Sequence, residues 1–209
     1  MILHGYFRSS ASYRVRIALN MKGVRVRHVS HHLRKGEQRA ADYLLINTQG
    51  FVPTLITEAG SVLTQSMAIL EWLEETHPQP PLLPREPLAR AHVRAFAYAI
   101  ACDIHPVQNL KVIARVRAMA GEEAAADWAK WVNEEGLDAC ERMLEGTRGQ
   151  FCYGDAPTLA DVCLIPQMAN ARRFGCDMAR WPRLGEIEAA CKALPAFADA
   201  APEVQPDAE

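Results

Sequence analysis

Along residues 1–80 the apolar positions recur with two different periods, two and about 3.6, which are those of strands and helices. Ile2-Leu3-His4-Gly5-Tyr6 reads as a short strand. Ser10 to Lys22 reads as a helix, with Val15, Ala18 and Leu19 on one face and Gly23 as its C-terminal stop. From Val24 to Leu33, Val24, Val26 and His28 alternate with Arg25 and Arg27, the pattern of a half-buried strand. A strand, a helix and a strand in this order predict a parallel pair with a right-handed crossover. Gly36 to Leu45 is a weaker helical segment, and Asn47 to Pro53 a loop. Pro53 directly precedes the strand Thr54–Thr57; proline cannot donate to a ladder, so it suits a strand's first residue or a turn. Glu58-Ala59-Gly60 predicts a hairpin turn, and Ser61-Val62-Leu63 its returning strand. Ser66 is expected to cap a helix from Met67 to about Thr76, whose apolar stripe is Ile69, Leu70 and Leu73.

The strand period then disappears. Between His77 and Leu88 stand Pro78, Pro80, Pro81, Pro84 and Pro87, a stiff connection and a predicted domain boundary. Ala89 to Ala118 is helical with an interruption near Pro106, and Ala124 to Leu144 is a further helix with Trp128, Trp131, Val132 and Leu137 for packing. Thr158-Leu159-Ala160-Asp161 fits a capping box ahead of the wholly apolar Val162-Cys163-Leu164-Ile165, which predicts a buried helix. The polar tail from Pro202 to Glu209 is expected to fray. The order βαβ, a connecting segment, then ββα is that of a thioredoxin fold with a mixed four-stranded sheet. The prediction is an α/β thioredoxin-like domain over residues 1–79, a linker over 80–88 and an all-α domain over 89–209.

Composition narrows the function. The chain has 209 residues, 49% of them apolar, enough for globular cores. No run approaches the roughly 20 apolar residues of a membrane helix. The first residues have neither a basic region nor a long apolar one, so the cytoplasm is the expected compartment and no membrane partner is expected. All six cysteines lie in the second half: Cys102, Cys140, Cys152, Cys163, Cys176 and Cys191. None has CxxC or zinc-finger spacing, so they read as small buried or half-buried residues, and no metal site is expected. Net charge is −2, but residues 1–50 hold nine Lys and Arg against Glu37 and Asp42. That surplus favours an anionic ligand. No nucleic-acid motif accompanies it, so a small anion is the better reading.

The candidate chemistry sits in Arg8-Ser9-Ser10-Ala11-Ser12-Tyr13-Arg14-Val15-Arg16. A helix start offers free amides and the positive end of the dipole, and so can hold an anion. Ser9 or Ser10 can serve there as a plain cap or as a hydroxyl donor; Ser12 falls inside the helix. No cysteine stands at this turn, which excludes dithiol chemistry by the protein itself.

Val52-Pro53 between the two halves and Gln65-Ser66 opening the last helix resemble the glutathione-binding domain of glutathione transferases. The run Phe7-Arg8-Ser9-Ser10-Ala11-Ser12, followed by Arg14-Val15-Arg16-Ile17-Ala18-Leu19, resembles the zeta class, whose members include maleylacetoacetate and maleylpyruvate isomerases. Ala11 stands where that motif usually has cysteine, which leaves glutathione as the only thiol at the turn. The resemblance implies a cis Val52–Pro53 bond that lets Val52 present its backbone to glutathione, with further contacts from Gln38, Gln65 and Ser66. Asp103-Ile104-His105-Pro106-Val107-Gln108-Asn109 resembles the segment that closes over glutathione, implicating His105 and Asn109; otherwise His105 is a helix-kink histidine. Asn170-Ala171-Arg172-Arg173-Phe174 resembles the segment that supplies a substrate-facing arginine, here Arg173; Lys111 is a further candidate, or a solvated surface lysine.

The implied activity is glutathione-dependent cis–trans isomerisation of a maleyl keto acid by thiolate addition, bond rotation and elimination, in aromatic or tyrosine catabolism. Ser10, or else Ser9, would favour the thiolate; Arg8 and Arg173 would hold substrate carboxylates. A homodimer is implied by resemblance alone. The alternatives are a zeta-like transferase acting on other electrophiles such as α-halo acids, and a transferase-like protein that binds without catalysing.

Overall fold

The computed structural model describes residues 1–209, which divide into two compact units, Met1–Pro81 with Leu194–Glu209, and Leu82–Ala193. The first unit holds β1 (Ile2–Gly5), α1 (Ser10–Met21), β2 (Arg27–Ser30), α2 (Ala41–Ile46), β3 (Thr54–Ile56), β4 (Val62–Thr64) and α3 (Ser66–Thr76). Its sheet has the order β2-β1-β3-β4. The β1–β2 pair is parallel, with Ile2 opposite Arg27, as the crossover through α1 requires. The β1–β3 and β3–β4 pairs are antiparallel, and Gly60 takes φ 82° in the β3–β4 turn, where a side chain would be strained. This is the predicted thioredoxin-like arrangement.

The apolar stripes face inward as their spacing predicts. Val15, Ala18 and Leu19 of α1 and Ile69, Leu70 and Leu73 of α3 are buried, and the two helices pack on each other. Leu3 and Leu55 are buried on the two central strands. Lys22 closes α1 with a fully buried ammonium, which donates to the Glu74 carboxylate at 2.7 Å and to the Pro80 carbonyl at 2.6 Å.

Four sequence expectations need correction. The second strand is only Arg27–Ser30, not Val24–Leu33; as an edge strand it is paired on one side, and its one half-buried residue is Val29, with His28 exposed. The segment Gly36 to Leu45 is broken: 3-10 turns at Leu33–Lys35 and Glu37–Arg39 flank Gly36 at φ 79°, and only Ala41–Ile46 is α-helical. Ser66 does not cap α3. Gln65 takes the cap position at φ 69°, and Ser66 is the first helical residue. The tail is not frayed: α8 (Pro195–Ala198) lies along α1, with Asn20 donating to the Ala196 carbonyl at 3.1 Å, and Asp207 bonds to the β1–α1 turn.

The second unit is helical: α4 (Pro87–Tyr98), a π-helical turn (Ala99–Ile104), a 3-10 turn (Pro106–Gln108), α5 (Leu110–Met143), α6 (Leu159–Arg173) and α7 (Pro182–Lys192). Gly121 (φ 91°, ψ 177°) divides α5, so the helix predicted from Ala124 begins just beyond that break. From Leu159 to Met168 every residue of α6 is buried. Its capping box is present: Thr158 Oγ1 accepts from the Ala160 amide, and Asp161 accepts from the Thr158 amide at 2.7 Å and the Cys152 amide at 2.9 Å. Burial pushes the Asp161 carboxyl up while these donors oppose the shift. Cys140, Cys152, Cys163, Cys176 and Cys191 are buried, and Cys102 is exposed. Burial pushes the Cys140 thiol up to about 12, so it is not a nucleophile at neutral pH.

Candidate functional site

In the first unit three stretches that are distant in sequence come together. Tyr6 and Phe7, at the turn before α1, share an apolar cluster with Val52 and Tyr43. The guanidinium of Arg14, on α1, donates to Ser66 Oγ at 3.4 Å at the start of α3. Gln65 Nε2 donates to Gln49 Oε1 at 2.8 Å, tying the α3 start to the loop before β3. The two helix starts and the Val52 loop thus form one neighbourhood.

The helix starts are electropositive. Neither α1 nor α3 has an acidic residue in its first turn. Ser9 is the α1 cap, its Oγ accepting from the Ser12 amide at 3.2 Å. Ser10 is the first helical residue, 5% exposed, and its hydroxyl is not part of the cap. Ser12 is fully buried, with its Oγ against Gly5 of β1. Ala11, also buried, stands between the two hydroxyl positions. Arg8 is half-buried, its guanidinium 6.0 Å from the Phe7 ring. The Gln65 side chain does not cap α3, and the buried Arg14 cation lies beside the helix start. That pairing suits a carboxylate.

The Val52 loop is held from below. The Val52–Pro53 bond is cis. The sheet ladder begins at Thr54, so the Val52 amide lies beyond it. Tyr43 donates its hydroxyl to the Phe51 carbonyl at 2.6 Å and shares a hydrogen bond with Thr54 Oγ1 at 2.8 Å. Asn47 Nδ2 donates to the same carbonyl at 2.9 Å and to Thr54 Oγ1 at 3.1 Å. Both flanks of Val52-Pro53 are therefore fixed by side chains of α2 and its C-terminus. Burial raises the Tyr43 phenol above its ordinary value, so it stays a donor at neutral pH. Gln38 Oε1 is shut off from solvent with no donor against it. A ligand with N–H groups would satisfy that oxygen, and a ligand carboxylate would suit the positive end of α3 beside Arg14. Glutathione has both, so the residues present fit it.

The second unit carries the other predicted residues. His105 is half-buried between the π-helical and 3-10 turns, its amide donating to the Ile100 carbonyl at 2.9 Å. Trp128 Nε1 donates to the Val107 carbonyl at 2.9 Å and fixes the adjoining turn. Asn109 caps α5, its Oδ1 accepting from the Lys111 and Val112 amides at 3.1 Å each, which leaves its amide NH2 for a ligand. Lys111 is exposed. Arg173 is exposed at the end of α6, 5.8 Å from the Phe174 ring. Its neighbour Arg172 forks onto Glu188 at 3.0 and 2.8 Å, a structural pairing. Gln108 Nε2 and Asn170 Oδ1, beside these positions, are buried with no hydrogen-bond partner.

Residues 3–81 match the family model described as glutathione S-transferase, N-terminal domain. The maleylacetoacetate isomerase of Rhizobium meliloti is 50% identical, over 97% of this chain and 96% of that protein. A holo structure of maleyl pyruvate isomerase, described as a bacterial glutathione S-transferase in the zeta class, superposes with a TM-score of 0.97 at 42% identity, covering both chains in full. The chain belongs to the zeta class of glutathione transferases. Another solved structure, a maleylacetoacetate isomerase from Anaeromyxobacter dehalogenans with bound dicarboxyethyl glutathione and citrate, superposes with a TM-score of 0.90 at 40% identity, over 100% of this chain and 93% of that one. This transferase is therefore an enzyme by family, and the serine turn, the cis proline and Gln65-Ser66 carried that likeness in the sequence.

Sequence reasoning gave no role to Arg14 or Arg16, although both stood in the singled-out stretch, and missed Tyr43 and Asn47. Arg16 is 4% exposed, and burial pulls its guanidinium down to about 10, still protonated at neutral pH. In the structure Arg14 and Arg16 lie within a helix whose residues from Ser10 to Leu19 are all buried, beyond the one apolar face that the spacing marks.

Proposed function

We propose that the enzyme is a glutathione-dependent cis–trans isomerase of maleyl keto acids, maleylpyruvate or maleylacetoacetate. The observation that carries this reading is the single neighbourhood of two electropositive helix starts and the Val52 loop, with Ser9 and Ser10 at one start and Arg14–Ser66 at the other. The first unit is the glutathione-binding one. Gln65, Ser66 and the α3 amides would hold the γ-glutamyl end, the Val52 backbone the cysteinyl part, and Gln38 an N–H group. Bound glutathione supplies a thiol whose conjugate base can add reversibly to an electron-poor double bond. The protein's own part is electrostatic. Ser10 donates to the sulfur, Ser9 holds the α1 amides in place, and Arg8 offers a charge to a substrate carboxylate. Arg173 and Lys111 are proposed as further carboxylate-binding cations, and His105 and Asn109 as glutathione contacts. The dicarboxyethyl glutathione named with a relative supports a dicarboxylic substrate. The active form is proposed to be a cytoplasmic homodimer.

The test is loss of the enol absorbance of both maleyl substrates, with and without glutathione. Isomerisation that requires glutathione is expected. No rate above background with either substrate, together with turnover of α-halo acids, would transfer the reading to a general transferase; failure to bind glutathione resin would overturn both.

A further inference from the structure

The turn that delivers Arg8, Ser9 and Ser10 is held by the far end of the chain. The Phe7 amide donates to Asp207 Oδ2 at 3.0 Å, and Ser30 Oγ, at the end of β2, donates to the same oxygen at 2.5 Å. On the other side of Phe7, Arg16 Nη2 donates to its carbonyl at 3.0 Å. The same guanidinium reaches the Tyr6 carbonyl at 3.4 Å and the Ala200 carbonyl at 3.0 Å. Both backbone groups of the residue before Arg8 are thus fixed by partners outside the turn, one of them 200 positions away. The tail is itself braced. Gln205 Nε2 donates to the carbonyls of Asp199 and Ala201 at 2.9 Å each, closing the bend that leads to Asp207.

We propose that Asp207 is a positioning residue for the reaction, and that the segment from Ala200 to Asp207 belongs to the catalytic apparatus as a strap on the β1–α1 turn. Without the carboxylate the Phe7 amide and the Ser30 hydroxyl lose their acceptor, and the turn gains freedom immediately before Arg8 and Ser9. Displacement of about 1 Å at a reacting centre costs roughly a hundredfold in rate. None of the strap's hydrogen bonds runs to Gln38, Val52, Gln65 or Ser66, so rate and glutathione affinity should separate. For its rate readout the inference rests on the isomerase reading; its second readout does not.

The experiment uses the full-length enzyme with Asp207→Ala, Asp207→Asn and Asp207→Glu. The Asn variant keeps an acceptor oxygen at the same reach and should retain kcat within about threefold. The Ala variant should lose about ten- to a hundredfold in kcat, with glutathione affinity, measured by calorimetry at a pH low enough to keep the bound thiol protonated, unchanged within about twofold. In parallel, titrating the ultraviolet absorbance of the enzyme-bound thiolate should show its pKa moving up toward the free-thiol value of about 8.5 in the Ala variant but not in the Asn variant. That titration needs only glutathione binding, so it still reports on Asp207 if the maleyl substrates prove wrong. If the Ala variant does not fold, the Glu variant decides, since it keeps the charge but displaces it; a wild-type kcat and thiolate titration in that variant overturns the proposal. An Ala variant that is folded with wild-type kcat and titration overturns it as well, as does an Asn variant no better than Ala.

Discussion

The two serines at the α1 start have separable jobs, and their alanine variants should fail in different ways. Ser9 is the cap, accepting from the Ser12 amide at 3.2 Å. Ser9→Ala removes one acceptor from a helix start, a loss of about 1 kcal/mol on average. Here the cost should fall toward about 0.5 kcal/mol, because α1 is buried from Ser10 to Leu19 and packing resists fraying. For a chain of this length that is about 1–2 °C in Tm. Ser10 caps nothing, so Ser10→Ala should leave Tm nearly unchanged. Its hydroxyl is proposed to donate to an anionic sulfur, and hydrogen bonds to charged groups contribute about 1.5–3 kcal/mol. Losing that much raises the bound thiol's pKa by about 1–2 units and lowers turnover about ten- to a hundredfold near neutral pH. The assay pairs thermal unfolding with titration of the bound-thiolate absorbance. A Ser10→Ala enzyme with an unshifted thiolate, beside a Ser9→Ala enzyme whose thiolate is lost, would refute the assignment and give Ser9 the chemistry.

Three further outcomes follow from named contacts. Lys22→Met leaves the Glu74 carboxylate and the Pro80 carbonyl facing an apolar group and should destabilise the first unit by about 3 kcal/mol; a urea-unfolding loss under about 0.5 kcal/mol would show that the ion pair contributes nothing net. His4 and His31 face each other at 2.8 Å against the Tyr43 ring, and burial lowers both pKa values, with His31 and Arg27 adding to the shift at His4, and Asp42 and Glu37 opposing it at His31. The unfolded chain therefore binds protons that the fold does not, so stability holds above about pH 6.5 and falls as pH drops below it; the fall in urea midpoint between about pH 7.5 and about pH 5.5 should be smaller in His31→Leu than in wild type, and an equal fall would sink this account. Arg8→Ala and Arg173→Ala should each lower kcat/KM for the maleyl substrate about tenfold while glutathione affinity stays within about twofold; calorimetry showing lost glutathione binding would place either residue wrongly.

What the sequence could reveal followed from how far apart the interacting residues stand. The apolar stripes of α1 and α3 were legible because a helix face is a local property, repeated every three or four residues. The cap at Thr158-Asp161 was legible for the same reason: its partners are three residues apart. The start of α3 was misread by one residue because Gln65 sits at φ 69°, a conformation its residue type does not announce. The second strand was misread because alternation of Val24, Val26 and His28 marks a face only where a neighbour covers it, and at the sheet edge none does fully.

The basic N-terminal third shows how long-range pairing changes the meaning of a charge. Nine cations against two acids suggested a field for an anion, each cation counting alike. In the fold Lys22 is neutralised by Glu74, and Arg16 has its donors on the carbonyls of Tyr6, Phe7 and Ala200. Those two charges maintain the scaffold. Arg14 reaches the α3 start and Arg8 follows the strapped Phe7, so the field available to a ligand comes from few residues with fixed positions. A surplus spread evenly over the surface would be screened beyond about 8–10 Å at physiological salt. A buried cation at a helix start is screened far less, and Arg14 is such a cation, whereas Arg25, Arg27, Arg34 and Lys35 are exposed.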